Sequence, residues 1–190
     1  VLSARLIDRP IRPLFPPELH NEVQIIVTPL SVDLENPVDI LAIIGASASL
    51  VISDIPFAGP IGATRIGFLD DDYVVNPTYE QIEKGSLDLV VVGSQEGVIM
   101  IEAGANELPE ETLLEGIELA QEVNVGLIGL QTRMVNTVGK PKIEIPTNSG
   151  LGEIESQVIK IAGERLPMAL EPASSKSDQA DQLNALKSDV

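Results

Sequence analysis

Ser3-Ala4-Arg5-Leu6-Ile7-Asp8-Arg9-Pro10-Ile11-Arg12-Pro13-Leu14-Phe15 is the stretch around which the rest of the chain can be read. Its three arginines are spaced four and three apart. At about 100° per residue they fall within roughly 60° of one another on a helix. Leu6, Ile7, Ile11 and Leu14 take the opposite arc, so the segment can dock by one side and present guanidinium groups from the other. A planar guanidinium donates two parallel hydrogen bonds to an oxyanion and stays charged at any working pH. Three of them in two turns suit a phosphate chain or a bound inorganic phosphate. The same arginines also fit a plainer reading, solvated ion pairs with Asp8 or with other carboxylates of the chain. Pro10 removes a donor and crowds the carbonyl of Leu6, so the helix is predicted to run to about Asp8 and to kink or extend beyond it.

The remaining composition bounds what such a segment serves. A chain of 190 residues fits one domain, or one domain and part of another. Hydrophobic residues make up 44% and aromatic ones only 3%, so the core must be aliphatic. No run approaches 18 uninterrupted apolar residues, and the opening residues show no secretory-signal pattern. The absence of cysteine excludes a disulfide framework and cysteine-ligated metal sites. A soluble intracellular protein is the expectation. The formal charge of −17 argues against a broadly nucleic-acid-binding surface, so any contact with phosphates must be local. Residues 1–12 are where three arginines gather with only one acid. The chain opens on Val1 and reads as a piece of something longer.

Downstream, Glu22 to Thr28 is β-branched and partly alternating, and is predicted to be a strand. Asn36 is a candidate N-cap with Pro37 at the first helical position, opening a helix through Val51 that is apolar nearly all round. Gly45-Ala46-Ser47-Ala48 within it allows close approach of a neighbour. Asp54 to Gly62 is turn chemistry. Ala63–Phe68 and Tyr73–Val75 read as a hairpin, with Asp70-Asp71-Asp72 as a solvated tip rather than a cation site. Thr78 caps a short helix, and Leu87–Val92 and Val98–Glu102 are strands. Pro109-Glu110-Glu111 opens a long helix that Gly139-Lys140-Pro141 ends. Ile154, Val158, Ile161 and Ala162 mark a further amphipathic helix. From Pro172 onward the chain is a loop or the start of another helix. The sum is an α+β sheet-and-helix layer with a boundary near residues 139–150.

Ala4 to Phe15 closely resembles the "ARLIDRPIRPLF" segment of the polynucleotide phosphorylase family. The resemblance continues through Gly45-Ala46-Ser47-Ala48, Ile55 to Gly62 and Leu87-Asp88-Leu89-Val90-Val91, and covers roughly residues 3 to 140. It implies a ribonuclease PH-type core, N-terminally truncated, over residues 1–140. A linker and the start of an all-helical domain would follow over 141–190. Members of this family, the polyribonucleotide nucleotidyltransferases, degrade RNA from 3′ to 5′ by phosphorolysis and release nucleoside diphosphates. They carry two such cores, of which the second is catalytic.

The resemblance also implies which core this is. In the catalytic core a Ser-rich phosphate loop precedes the Gly-Ala-Ser helix; here those positions read Pro37-Val38-Asp39. The catalytic Asp, Asp and Lys fall on Ile82, Asp88 and Val90, so only Asp88 survives. No catalytic or metal-ligating residue is therefore expected in this chain. Mg²⁺ would bind in the second core, outside it, with inorganic phosphate as co-substrate. Arg5, Arg9 and Arg12 become the candidates for RNA-phosphate or interface contacts. The implied partners are single-stranded RNA, two further copies in a homotrimer and components of an RNA-degradation complex, with no membrane. The compartment would be a bacterial cytoplasm or an organelle. The chain opens just after the family's Arg-bearing "FFRREGRPS" loop. His20 has no acid or nucleophile nearby in sequence and reads as a surface residue. The rival reading is a non-enzymatic RNA-binding, assembly or regulatory module on the same fold.

Overall fold

The computed structural model describes residues 2–145, 151–163, 165–170 and 176–189. The chain divides into two compact units, Val1–Ile145 and Pro146–Val190.

The first unit is built on a four-stranded antiparallel sheet in the order β2-β1-β3-β4, formed by β1 (Gly62–Leu69), β2 (Asp72–Val75), β3 (Leu87–Gly93) and β4 (Val98–Ala105). The β1–β2 hairpin closes through Asp70 and Asp71, both at positive φ (52° and 65°). A two-residue loop needs that backbone to follow the right-handed twist of its strands. β1 lies between β2 and β3, with Ile66 opposite both Val75 and Leu89. Because side chains alternate along a strand, β1 and β3 each feed two cores. Ala63, Val90, Val92 and Met100 pack with Leu6 and Ile11 of α1 (Leu2–Ile11) and with Ile40, Ile43 and Leu50 of α2 (Asp39–Ile52). Ile66, Leu87, Leu89 and Val91 pack on the other face with Ala120 of α4 (Glu110–Val138).

The seam between α4 and the sheet is polar, and two of its side chains, Asn124 and Gln131, are paired at both ends of their amides, whereas Gln121 donates to the Ser94 carbonyl (2.8 Å) and leaves its buried Oε1 without a partner. Asn124 Nδ2 donates to the Val91 carbonyl (3.2 Å) while its Oδ1 accepts from Thr64 Oγ1 (2.8 Å). Gln131 Nε2 donates to the Ile61 carbonyl (2.8 Å) and its Oε1 accepts from Ser47 Oγ (2.7 Å). Buried polar groups cost little when paired in this way. Gly62 sets the spacing, since a Cβ there would lie 2.7 Å from the Asn124 carbonyl oxygen.

Several predicted boundaries hold. Thr78 caps α3 (Tyr79–Lys84) in a capping box with Gln81. β3, β4 and α4 occupy the expected stretches. Three expectations do not hold. Glu22–Thr28 is not a strand: among the described residues no strand pairs with it, and Ile26 is 78% exposed. A β-branched run is stable as a strand only when a neighbour takes its backbone bonds. Asn36 is not the N-cap of α2. It bonds back to Asp33 through both its backbone N–H and its side chain, and Val38 occupies the cap without a side-chain bond. α1 runs past Asp8 to Ile11, because Pro10 sits in the last turn and is buried, and a 3-10 turn (Arg12–Leu14) follows.

The second unit contains α5 (Leu151–Ala162), α6 (Arg165–Leu170) and α7 (Lys176–Asp189). The amphipathic helix expected around Ile154–Ala162 is α5. The open question after Pro172 resolves as a helix from Lys176; Pro172 itself lies outside the described residues.

Candidate nucleic-acid interface

α1 docks as its apolar arc predicts. Leu6, Pro10 and Ile11 are buried, and Ile7 and Leu14 pack partly against the same cluster. The outward side carries Arg5 and Arg9, and Arg12 follows at the start of the 3-10 turn; all three are exposed. Their environments differ. Arg9 Nη1 donates to Glu102 Oε2 of β4 at 3.0 Å, and both side chains are about half exposed. Arg12 grips Asp8 one turn back with two hydrogen bonds, Nε to Oδ1 (3.1 Å) and Nη2 to Oδ2. Arg5 has no hydrogen bond or ion pair among the described residues. Exposed pairs of this kind hold by only about 0–1 kcal/mol, so a phosphate group can exchange for either carboxylate. Beside this helix runs an open cleft of about 1070 Å³, whose wall includes Asp8, Arg12 and Phe15.

A fourth arginine, which sequence reasoning passed over, sits in a different setting. Arg65 on β1 is 9% exposed. Its Nη2 donates to Asp39 Oδ2 at 3.1 Å, and its Nε lies 3.1 Å from Asp88 Oδ1, an ion pair by distance rather than a directed hydrogen bond. Asp88 reaches Arg65 because β3 runs antiparallel to β1: Arg65 faces Val90, and Asp88 is two residues along on the same side. Asp39 reaches it from the first residue of α2, where its Oδ1 also accepts the Ile40 N–H (2.9 Å). Neither partner is near Arg65 in sequence, and no local spacing announces the triad.

These are the positions that matter for catalysis by resemblance. Asp39 ends the Pro37-Val38-Asp39 stretch and Asp88 is the surviving aspartate, and both are committed to one guanidinium. Ile82 lies half-buried on α3 and Val90 is buried in the α1–α2 core. Two carboxylates already holding an arginine, with an isoleucine and a valine at the other two positions, do not fit Mg²⁺. Among the described residues there is no group of three or more His, Asp or Glu side chains suited to a metal ion. Asp70 and Asp71 form the turn of the β1–β2 hairpin, and His20 is exposed in the segment after the 3-10 turn.

Comparison with known proteins gives two adjoining family matches. Residues 1–56 match "3′ exoribonuclease family, domain 1" and residues 59–123 match "3′ exoribonuclease family, domain 2". The chain is similar to the polyribonucleotide nucleotidyltransferase of Heliobacterium modesticaldum, 45% identical over 190 residues, all of this chain and 27% of that protein. It is 47% identical to that of Thermus thermophilus over 92% of this chain and 25% of the relative. For that of Gloeothece citriformis the identity is 50% over 73% of this chain and 19% of the relative. The chain thus spans about a quarter of the length of the curated relatives it matches along most or all of its own.

Proposed function

We propose, for a chain that belongs to the 3′ exoribonuclease family, that it is the non-catalytic first core of a polyribonucleotide nucleotidyltransferase, with the opening of the helical domain behind it. The parent protein would degrade RNA from its 3′ end by phosphorolysis. Inorganic phosphate would be the co-substrate, and Mg²⁺ would be held in the second core.

One observation carries the silent-core assignment: Asp39 and Asp88 close on Arg65 where the catalytic core would cradle phosphate and hold metal. A phosphate entering there would meet two carboxylates and a neutralised arginine. The chain's part is instead to guide RNA. Arg5 and Arg9 stand on α1, whose other side is anchored in the core, and Arg12 opens the 3-10 turn that continues it, so their guanidinium groups are presented on ordered backbone. They contact phosphate oxygens without reading sequence. Exchange of Glu102 and Asp8 for phosphate needs no rearrangement of the core.

The boundary of the core belongs to the same reading. Lys140 N–H donates to the Ile52 carbonyl (3.0 Å), and Ile143 N–H donates to the Asp54 carbonyl (2.8 Å). Lys142 Nζ caps the end of α2 through the Leu50, Val51 and Ser53 carbonyls at 2.8, 3.1 and 2.8 Å. These bonds support a reading in which the first core extends to about residue 143 before the linker begins. A homotrimer and RNA-degradation partners complete the proposal. No helix among the described residues is long and apolar enough to cross a membrane, and a bacterial cytoplasm or an organelle is the proposed compartment.

The test is phosphate-dependent release of nucleoside diphosphate from a short RNA, run on this chain and on the intact gene product. Activity in the intact product alone is expected. Activity in this chain would overturn the reading of the Arg65 triad, and silence in both would favour a non-enzymatic module.

A further inference from the structure

We infer that Glu102 is a built-in competitor of RNA phosphate for Arg9, and that it sets how much of the α1 arginine face is open to a strand. The inference rests on reading that face as a phosphate-contacting surface.

The two carboxylates on the face have different origins. Asp8 pairs with Arg12 across one helical turn, a contact that an isolated helix also makes. Glu102 comes from the edge strand, 93 residues away, and meets Arg9 only because the fold brings β4 beside α1. Its direction follows from Met100. That side chain, two residues earlier on β4, is buried in the cluster with Leu6 and Ile11, so the strand's alternation carries Glu102 to the same side. Its carboxylate offers Arg9 an acceptor of the kind a phosphate would offer, at 3.0 Å.

Three states of one residue type result: Arg5 free of partners among the described residues, Arg12 held by the helix just before it, and Arg9 held from the sheet. A strand on the face can take Arg5 without displacing a carboxylate but must take Arg9 from Glu102. Glu102 thereby weakens the hold on RNA, which suits a surface that a strand must pass rather than stay on. It touches no reacting atom and acts only through Arg9.

The experiment measures binding of a fluorescein-labelled oligoadenylate to the intact gene product as a function of salt. The variants are Glu102→Gln, Arg9→Ala, the double variant and Arg5→Ala, with Glu118→Gln on α4 as a control for loss of one negative charge. Glu102→Gln is expected to tighten binding by about two- to fivefold. It should also steepen the dependence of log Kd on log salt by about 0.7, one more single-strand phosphate contact. Glu118→Gln should give a smaller change, and Glu102→Gln made on top of Arg9→Ala should give none beyond that control. Unchanged or weaker binding in Glu102→Gln, with Arg5→Ala still weakening it, would overturn the competitor role and leave the arginine face standing. No effect of Arg5→Ala would overturn the face itself, and the inference with it.

Discussion

Arg65 and the arginines of α1 are the same side chain in two dielectric settings. Arg65 is buried between α2 and the sheet, where its charge is tolerable only because Asp39 and Asp88 neutralise it. Arg9 and Arg12 also have carboxylate partners, but at the surface, where water solvates either group once they part. Removing a partner from the first arrangement strands a charge; removing one from the second frees it for use. The distance between guanidinium and carboxylate does not distinguish the two arrangements, and burial does.

The largest expected effect tests the buried member. Arg65→Met leaves two aspartates facing each other and should cost about 3 kcal/mol, the lower end of the range for a broken buried pair, because Asp88 still reaches water. Urea denaturation measures it, and a loss under about 1 kcal/mol would erase the distinction between the two regions. Asp39→Asn keeps the shape and one acceptor but removes the charge that faces Arg65, and should cost about 1–2 kcal/mol in the same assay. Adding it to Arg65→Met should restore part of the loss, as residues in one network couple.

At the exposed member the sign of the effect moves from stability to binding. Arg5→Ala should change stability by less than about 0.5 kcal/mol. In the intact gene product it should weaken oligoadenylate binding by about 1 kcal/mol, roughly fivefold. Arg9→Ala should weaken it less, since Glu102 already occupies that residue.

The smallest effect concerns a carboxylate with no arginine. The Asn36 backbone N–H, the Asn36 side chain and the Glu35 backbone N–H lower the pKa of Asp33 from 3.8 to about 2. A depressed carboxylate contributes its stabilisation in full above its unfolded value and loses it as the pH falls through the folded one. The Asp33–Asn36 turn should therefore hold down to about pH 4 and open progressively toward pH 2. NMR titration of the Asn36 side-chain amide measures this, and an Asp33 midpoint near 3.8 would mean that hydrogen bonds without a cation do not hold the charge.

Local signals carried much of the fold. The Thr78 capping box, the Asp-rich hairpin tip and the acidic first turn of α4 act within a few residues, and each is where the chain's chemistry requires it. The apolar arc of α1 was legible for the same reason, and with it the outward placement of Arg5, Arg9 and Arg12. The strand expected over Glu22–Thr28 failed because strand propensity is realised only against a neighbour, and none pairs there. Asn36 failed as a cap because Asp33 offered it closer partners.

What the sequence alone determined is most of the helices and the sheet strands, and the face of α1 that carries charge, since helical spacing and turn chemistry are local. Tertiary structure decided the rest: that Arg65 gathers Asp39 and Asp88 from two other elements, and that Glu102 reaches Arg9 from the sheet edge. Electrostatic partnership depends on distance and burial, and in a folded chain both are set by packing rather than by position along the sequence.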